Sequence, residues 1–292
     1  MFTDRMINKL INSFIIKYNL PSWLKPYIKE YIKKNNNSIR YVVTFIRYGR
    51  KKGKLLSNKI ILPNGVVFKK KHISHLLNLF YFGVHRMREV SYLWANSAFG
   101  NTKLKLRFFE IAEIENKRAL TLKNLIEGLN YTLDKKPPSE GMTKVFDYIE
   151  KLTDWNERLI AKEIILNYSY AIPFGYIFYK VFYPVSPEFM KKFGKSFNNY
   201  ESCELLNKKE AEAIIIEGKI DYNKLKNIIE ILEEYINESI NSEIENAKEA
   251  KIYNEIILLK NIAIAYPIYK IKELNPQFDF SYIIDKYNKH RK

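Results

Sequence analysis

The stretch that decides the fold lies at residues 107–126 and reads RFFEIAEIENKRALTLKNLI. Its apolar residues recur every three or four positions, which predicts an α-helix with one buried face. The residues of this face are Phe108, Ile111, Ala112, Ala119, Leu122 and Ile126. Glu115 follows Ile111 by one helical turn, so the same spacing places a carboxylate on the apolar face. Arg118 is three residues further on, which puts its side chain beside that of Glu115.

Helical periodicity continues through almost all of the chain after residue 71. The predicted helices are His72–Ala98, Lys103–Leu129, Thr143–Tyr183, Pro187–Glu217, Tyr222–Asn246 and Ala247–Leu274. Pro173 is expected to kink the third helix, because proline cannot donate the backbone hydrogen bond. Long helices joined by short loops predict an antiparallel bundle. We therefore expect an all-α fold with a bundle core over about 72–217 and additional helices over 222–274.

The first 71 residues have a different pattern. Residues 4–18 and Trp23–Lys34 have the spacing of short helices. Farther along, β-branched residues at 59–62 and 66–68 flank Pro63-Asn64-Gly65. This arrangement predicts a β-hairpin, since Asn-Gly adopts the positive φ that a tight turn requires. The chain is therefore divided into a small basic α+β segment, 1–71, and a helical bundle, 72–292.

Positive charge is concentrated in the basic segment. Residues 1–71 contain seventeen Lys and Arg and two acids, so this segment carries +15 of the chain's net +17. Closely spaced cations attract phosphates and acidic surfaces, and the aromatic side chains between them can stack on bases. The candidate anion-binding residues are Arg47, Arg50, Lys51, Lys52, Lys54, Lys69, Lys70 and Lys71. Nucleic acid or an acidic protein is the predicted partner, and a merely solvated lysine face is the alternative.

Several classes of protein are disfavoured by what the sequence contains. A single cysteine, Cys203, forms no intrachain disulfide and is typical of a reducing compartment, and the first residues do not resemble a secretory signal. A cytoplasmic location is therefore expected. The most membrane-like stretch, Ile164–Val185, is interrupted by polar residues and proline, so we expect no membrane span. No glycine-rich phosphate loop and no Gly-x-Ser-x-Gly turn occurs, which disfavours common nucleotide and serine hydrolases.

Residues 107–126 resemble the second helix of the ferritin-like superfamily, the rubrerythrins and their relatives. In that helix a Phe is followed by Glu-x-x-His-Ala and then by spaced Leu and Ile. Glu115 matches the Glu and Ala119 matches the Ala, whereas Arg118 stands where the family has His. This departure matters because arginine is a permanent cation and cannot ligate a metal.

The resemblance covers about residues 75–217 and implies a dimetal site for iron or manganese in the bundle core. The residues that correspond to its ligands are His85, Glu89, Glu115, Glu163, Glu201 and Glu204. On the third helix the family spacing falls near Asn167, and Glu163, one turn earlier, is the alternative. Most of these positions depart from the family pattern. His85 stands near the place of the first Glu, and residues 201–204 read Glu-x-x-Glu where the family has Glu-x-x-His.

Three interpretations of this pattern remain open. In the first, the residues form an unusual carboxylate-rich dimetal site that activates dioxygen or peroxide. In the second, the metals have been lost and Arg118 pairs with Glu115 and Glu201 in a buried ion network. In the third, Glu115 and Arg118 are an ordinary surface pair. The pattern leaves open whether the chain is an enzyme and whether it forms a homo-oligomer.

Overall fold

The computed structural model describes residues 8–9, 11–12, 54–56, 59–61, 67–97, 101–134, 137–171, 201–250 and 253–289. This part of the chain is mostly helical, which confirms the all-α prediction for the region after residue 71. Within it, no helix combines the length and the apolar character needed to cross a membrane.

Three short strands precede the helices: β1 (Lys54–Leu56), β2 (Lys59–Ile61) and β3 (Val67–Lys69). They form an antiparallel sheet in the order β1-β2-β3. Strands β2 and β3 occupy the two arms of the predicted hairpin, with Ile60 opposite Phe68. The turn at 63–65 lies outside the described residues, as does the helix predicted at Trp23–Lys34, so both stay predictions.

Two long helices follow the sheet and pack against each other as an antiparallel pair. Helix α1 (Lys70–Asn96) begins directly after β3, and α2 (Thr102–Gly128) begins after a short loop. The side chain of Asn101 accepts a hydrogen bond from the Leu104 N–H at 3.0 Å, which caps the first turn of α2. The Trp94 and Phe108 rings meet edge to face at 5.4 Å in the core between the helices.

The single helix predicted at Thr143–Tyr183 was wrong, because the chain is interrupted after α3 (Glu140–Lys151). Asp154 starts a new helix there, since its side chain accepts hydrogen bonds from the Asn156 and Glu157 N–H groups. This helix, α4 (Trp155–Leu159), continues without a break as a π-helix over Ile160–Ala171. The kink predicted at Pro173 lies outside the described residues.

The remaining described helices are α5 (Glu201–Ile216), α6 (Tyr222–Ser242), α7 (Ile244–Glu249), α8 (Tyr253–Leu274) and α9 (Ser281–Lys289). The predicted boundary between the fifth and sixth helices was misplaced, because α6 ends at Ser242 and the short α7 intervenes. Helix α9 was not predicted at all. Its start is marked by Asp279, whose side chain accepts a hydrogen bond from the Ser281 N–H at 3.0 Å.

The helices share one large apolar core, to which α1, α2, α3, the π-helix, α5, α6, α8 and α9 contribute. A smaller core lies between the first half of α1 and the second half of α2. Gly141 brings α3 against the α6 backbone. A Cβ at this position would lie 2.5 Å from the Ser239 nitrogen and 2.7 Å from the Tyr235 oxygen. Only glycine therefore permits this approach between the two helices.

Gly141→Ala is expected to destabilise the protein by about 1–3 kcal/mol, because a backbone atom rather than a mobile side chain must move. Urea unfolding followed by circular dichroism measures the change. Gly128→Ala is the matched control, since a Cβ there meets nothing within 4 Å. If the two variants unfold at the same urea concentration, the close contact between α3 and α6 is not a constraint on the fold.

Candidate functional site

Helix α2 carries Glu115 and Arg118 on its inner face, as its apolar pattern requires. Glu115 is 4% exposed and Arg118 is 3% exposed. The Arg118 Nη1 donates a hydrogen bond to the Glu115 Oε1 at 2.9 Å. The buried ion pair of the second interpretation is thus present, and the surface-pair interpretation is wrong, because the apolar stripe carries both residues into the core.

The π-helix contributes a second buried pair. Lys162 is 1% exposed and Glu163 is 0% exposed. The Lys162 Nζ donates to the Glu163 Oε1 at 2.5 Å, and the Asn167 Nδ2 donates to the Glu163 Oε2 at 2.8 Å. Both oxygens of Glu163 therefore accept hydrogen bonds within its own helix.

The two pairs belong to one electrostatic cluster, which we call the ion network: Glu115, Arg118, Lys162 and Glu163. Burial raises the pKa of the Glu115 carboxyl, and the negative charge of Glu163 adds to that rise. The charges of Arg118 and Lys162 act in the opposite direction. Two carboxylates are thus balanced by two cations, which is the condition under which charge can be buried at moderate cost.

The described donor set does not fit a dimetal centre. Each carboxylate of the ion network is hydrogen-bonded to a cation of the protein, whereas a carboxylate that bridges two metals binds cations that the protein does not supply. The Glu115 Oε2 has no hydrogen-bond partner among the described residues. In the described ranges, no three His, Cys, Asp or Glu side chains lie together as metal ligands do. Two fixed positive charges in the same cluster would also repel a metal ion.

His85 and Glu89 lie away from the ion network, on a partly exposed face of α1. The His85 Nδ1 is 3.3 Å from the Glu89 Oε1, and the Arg88 Nη2 is 2.9 Å from the His85 Nε2. Arg86 donates to Glu89 at 2.8 Å and also binds carboxylates of α3. Burial, followed by the charge of Arg88, lowers the pKa of His85. Arginine side chains thus engage one polar atom of His85 and one of Glu89, and the other two atoms face each other.

The other two candidate ligands, Glu201 and Glu204, belong to the first turn of α5. Their side chains lie outside the part of the structure that is described. Of the six candidate ligands, the structure therefore brings together Glu115 and Glu163, and it adds Arg118 to them.

The candidate anion-binding residues are described only in part. Lys69, Lys70 and Lys71 are exposed around the junction of β3 and α1. Lys54 belongs to β1, and its side chain is not described. Arg47, Arg50, Lys51 and Lys52 lie outside the described residues.

The sequence analysis did not identify the acidic side chains that pair with the first residues of α1. Lys71 forms an ion pair with Glu249, and the His72 Nε2 lies 3.3 Å from the same carboxylate. The His75 Nε2 lies 2.7 Å from the Glu243 Oε2, and this hydrogen bond raises the pKa of His75. The carboxylates of α7 and its flank thereby hold the end of the basic segment against the bundle.

Lys162 was also missed as a member of the ion network. A signal was present in the sequence, because Lys162-Glu163 interrupts an otherwise apolar run from Leu159 to Leu166. Two adjacent charges inside such a run indicate a buried pair, since unpaired charges are rarely buried.

No family model matches this chain, and no curated protein or solved structure matches it either. The resemblance to ferritin-like proteins therefore depends on the residues of the chain itself, chiefly those of α2.

Arg118→Met is expected to destabilise the protein by about 3–5 kcal/mol, because it leaves the buried Glu115 carboxylate without its hydrogen-bonded cation. The double variant Glu115→Leu/Arg118→Met should recover most of that loss, since both charges are then removed. Equilibrium unfolding in urea measures all three proteins.

Lys123→Met is the matched control, because Lys123 pairs with Glu127 at 3.9 Å on the exposed face of the same helix. It should cost less than about 1 kcal/mol. An Arg118→Met variant as stable as this control would show that the ion network does not support the fold.

Proposed function

We propose that this protein is a non-enzymatic nucleic-acid-binding protein, in which the basic segment 1–71 contacts the phosphate backbone. The helical part would be a diverged ferritin-like bundle that serves as its scaffold. Its ancestral metal site would have been replaced by the ion network.

The observation that carries the proposal is the uneven distribution of charge. Residues 1–71 hold +15, whereas residues 72–292 hold +2. Within the described bundle, many cations already have acidic partners, such as Arg107 with Glu210 and Lys144 with Glu238. An excess of cations in one segment, with few acids of its own, is the electrostatic signature of a polyanion-binding surface.

The attachment of the basic segment to the bundle supports a scaffold role. Strand β3 runs into α1 with no intervening residue, so the sheet and the first long helix are continuous. Glu249 and Glu243 then pair with Lys71, His72 and His75 at the start of α1. A polyanion bound to the sheet would thus be positioned relative to the helices.

The ion network supports a non-enzymatic role. Its carboxylates are buried, and each accepts a hydrogen bond from a cation, Glu115 from Arg118 and Glu163 from Lys162, which disfavours their use as metal ligands or general bases. The proposed ancestry explains why charge lies in the middle of this bundle. Where the ligands of a metal centre have changed, opposite charges that neutralise each other fill the same polar space.

Nucleic-acid affinity measured against salt concentration tests the proposal. Fluorescence anisotropy of the full chain with labelled single-stranded RNA and duplex DNA should give a steep negative slope of log K against log salt. Replacing Arg47, Arg50, Lys51, Lys52 and Lys54 by Gln together should reduce that slope by about 0.7–0.9 for each phosphate that the variant no longer neutralises.

The matched control replaces five exposed lysines of the bundle: Lys103, Lys105, Lys117, Lys123 and Lys151. It removes the same charge and should retain the slope. Equal loss in the two variants would show only a general charge effect and would refute a site in the basic segment. Tighter binding to an acidic polypeptide than to either nucleic acid would instead identify an acidic protein as the partner.

Metal analysis tests the proposed loss of the dimetal site. The full chain, purified after supply of iron and manganese, is expected to carry neither metal in stoichiometric amount, because Arg118 and Lys162 engage the carboxylates. A stoichiometric pair of iron or manganese ions, lost in Glu115→Ala and retained in the exposed control Glu113→Ala, would overturn the non-enzymatic proposal.

A further inference from the structure

Another buried carboxyl, that of Glu233, lies in the bundle and is not part of the ion network. Glu233 is in the middle of α6 and is 0% exposed. Its Oε1 lies 3.5 Å from the Ser169 Oγ of the π-helix. Its Oε2 has no hydrogen-bond partner among the described residues. An ionised carboxylate in this position would be buried almost without compensation, which is among the most costly arrangements in a protein interior.

The hydroxyl of Ser169 donates its hydrogen bond to the neighbouring helix α8. Pro267 lies inside α8 and has no N–H, so it cannot donate to the carbonyl of Ala263 four residues earlier. The Ser169 Oγ donates to that carbonyl at 2.9 Å. The π-helix thus satisfies a carbonyl that the proline of α8 leaves without its helical partner.

A serine hydroxyl has one hydrogen, and this fact assigns the donors. At 2.9 Å the hydrogen of Ser169 points to the Ala263 carbonyl, so it does not also reach the Glu233 Oε1 at 3.5 Å. The Ser169 oxygen can still accept. Its contact with Glu233 is therefore a hydrogen bond only if the carboxyl carries a proton.

We infer that Glu233 is a neutral carboxylic acid in the folded protein, donating its O–H to Ser169, and that this proton links α6, the π-helix and α8 in a pH-sensitive contact. The hydrogen bonds then run in one direction, from Glu233 to Ser169 and from Ser169 to the Ala263 carbonyl. Release of the proton places a negative charge at the junction of the three helices and weakens their packing.

The groups around Glu233 agree with this assignment. Burial raises the pKa of Glu233 well above its usual range, and no cation among the described residues opposes the rise. On the π-helix, the titratable neighbour is Tyr170, whose own pKa is raised chiefly by burial. Lys144 of α3 is paired with Glu238, and Lys260 of α8 donates to Asn241, so these cations are engaged elsewhere.

The sign of the pH effect follows from proton linkage. Between the ordinary glutamate pKa, about 4.5, and the raised pKa of the folded state, the folded protein holds a proton that the unfolded protein has lost. The folded state is therefore weakened as pH rises through this window. Glu233→Gln removes the titration and keeps a donor for Ser169, so the variant should gain stability relative to the natural chain as pH rises.

Urea unfolding of the full chain from about pH 5 to about pH 9 tests the inference. The ratio of the folding constants of Glu233→Gln and the natural chain should rise by up to about tenfold per pH unit until the raised pKa is passed. Glu234→Gln is the matched control, because Glu234 is the exposed neighbour on the same helix, and its ratio should stay flat. A flat ratio for Glu233→Gln, or one that falls with pH, would overturn the inference.

Infrared spectroscopy gives a readout that does not depend on stability. The folded natural chain at neutral pH should show the carbonyl stretching band of a protonated carboxyl. Because burial also raises the pKa of Glu115, the test is the change in band intensity on each substitution: the band should lose intensity in Glu233→Gln and keep it in Glu234→Gln. No loss in Glu233→Gln, or an equal loss in both variants, would show that Glu233 does not hold the proton.

Discussion

Burying Glu115 within an apolar helix face costs free energy that opposite charge and hydrogen bonds must offset. This requirement shapes the middle of the bundle. Arg118 on the same helix supplies one hydrogen bond, and Lys162 of the π-helix supplies a second positive charge. Each helix supplies one carboxylate and one cation, so the charges of α2 and the π-helix balance within one electrostatic cluster.

The ion network and the Glu233 contact both bury glutamate side chains, and they offset the cost of burial by different chemistry. In the network, each carboxylate is hydrogen-bonded to an arginine or a lysine. At Glu233 no described cation is near, and the proposed solution is to keep the carboxyl neutral. The π-helix serves both, since Lys162 and Glu163 lie in its first turn and Ser169 near its end. Irregular helical winding of this kind is found where polar groups must be positioned inside a fold.

Much of the architecture could be predicted from periodicity alone, because long apolar stripes define α1, α2 and α6 to within a few residues. The pairing of Arg118 with Glu115 was predictable as well, since residues three apart share a helix face. The break at Asp154 was missed because the apolar pattern continues across it, and a capping side chain is a weaker signal than periodicity. His85 was assigned as a ligand by its distance along the chain from Glu115, but sequence separation does not fix helix rotation. The pairing of Glu243 and Glu249 with the first residues of α1 depends on tertiary packing, which sequence periodicity does not predict.

The π-helix at Ile160–Ala171 also limits how this chain can vary in length. A π-helix holds more residues per turn than an α-helix, so deletion of one residue from the segment after Glu163 changes the rotation of the residues that follow it. Every residue after the deletion would then turn relative to Lys162 and Glu163. The π-helix could then not direct Ser169 at Glu233 and Lys162 and Glu163 at α2 at the same time. An insertion or deletion of one residue here would therefore rotate Ser169 relative to Lys162 and Glu163. The length of this segment is thus a structural constraint, as is the identity of its polar residues.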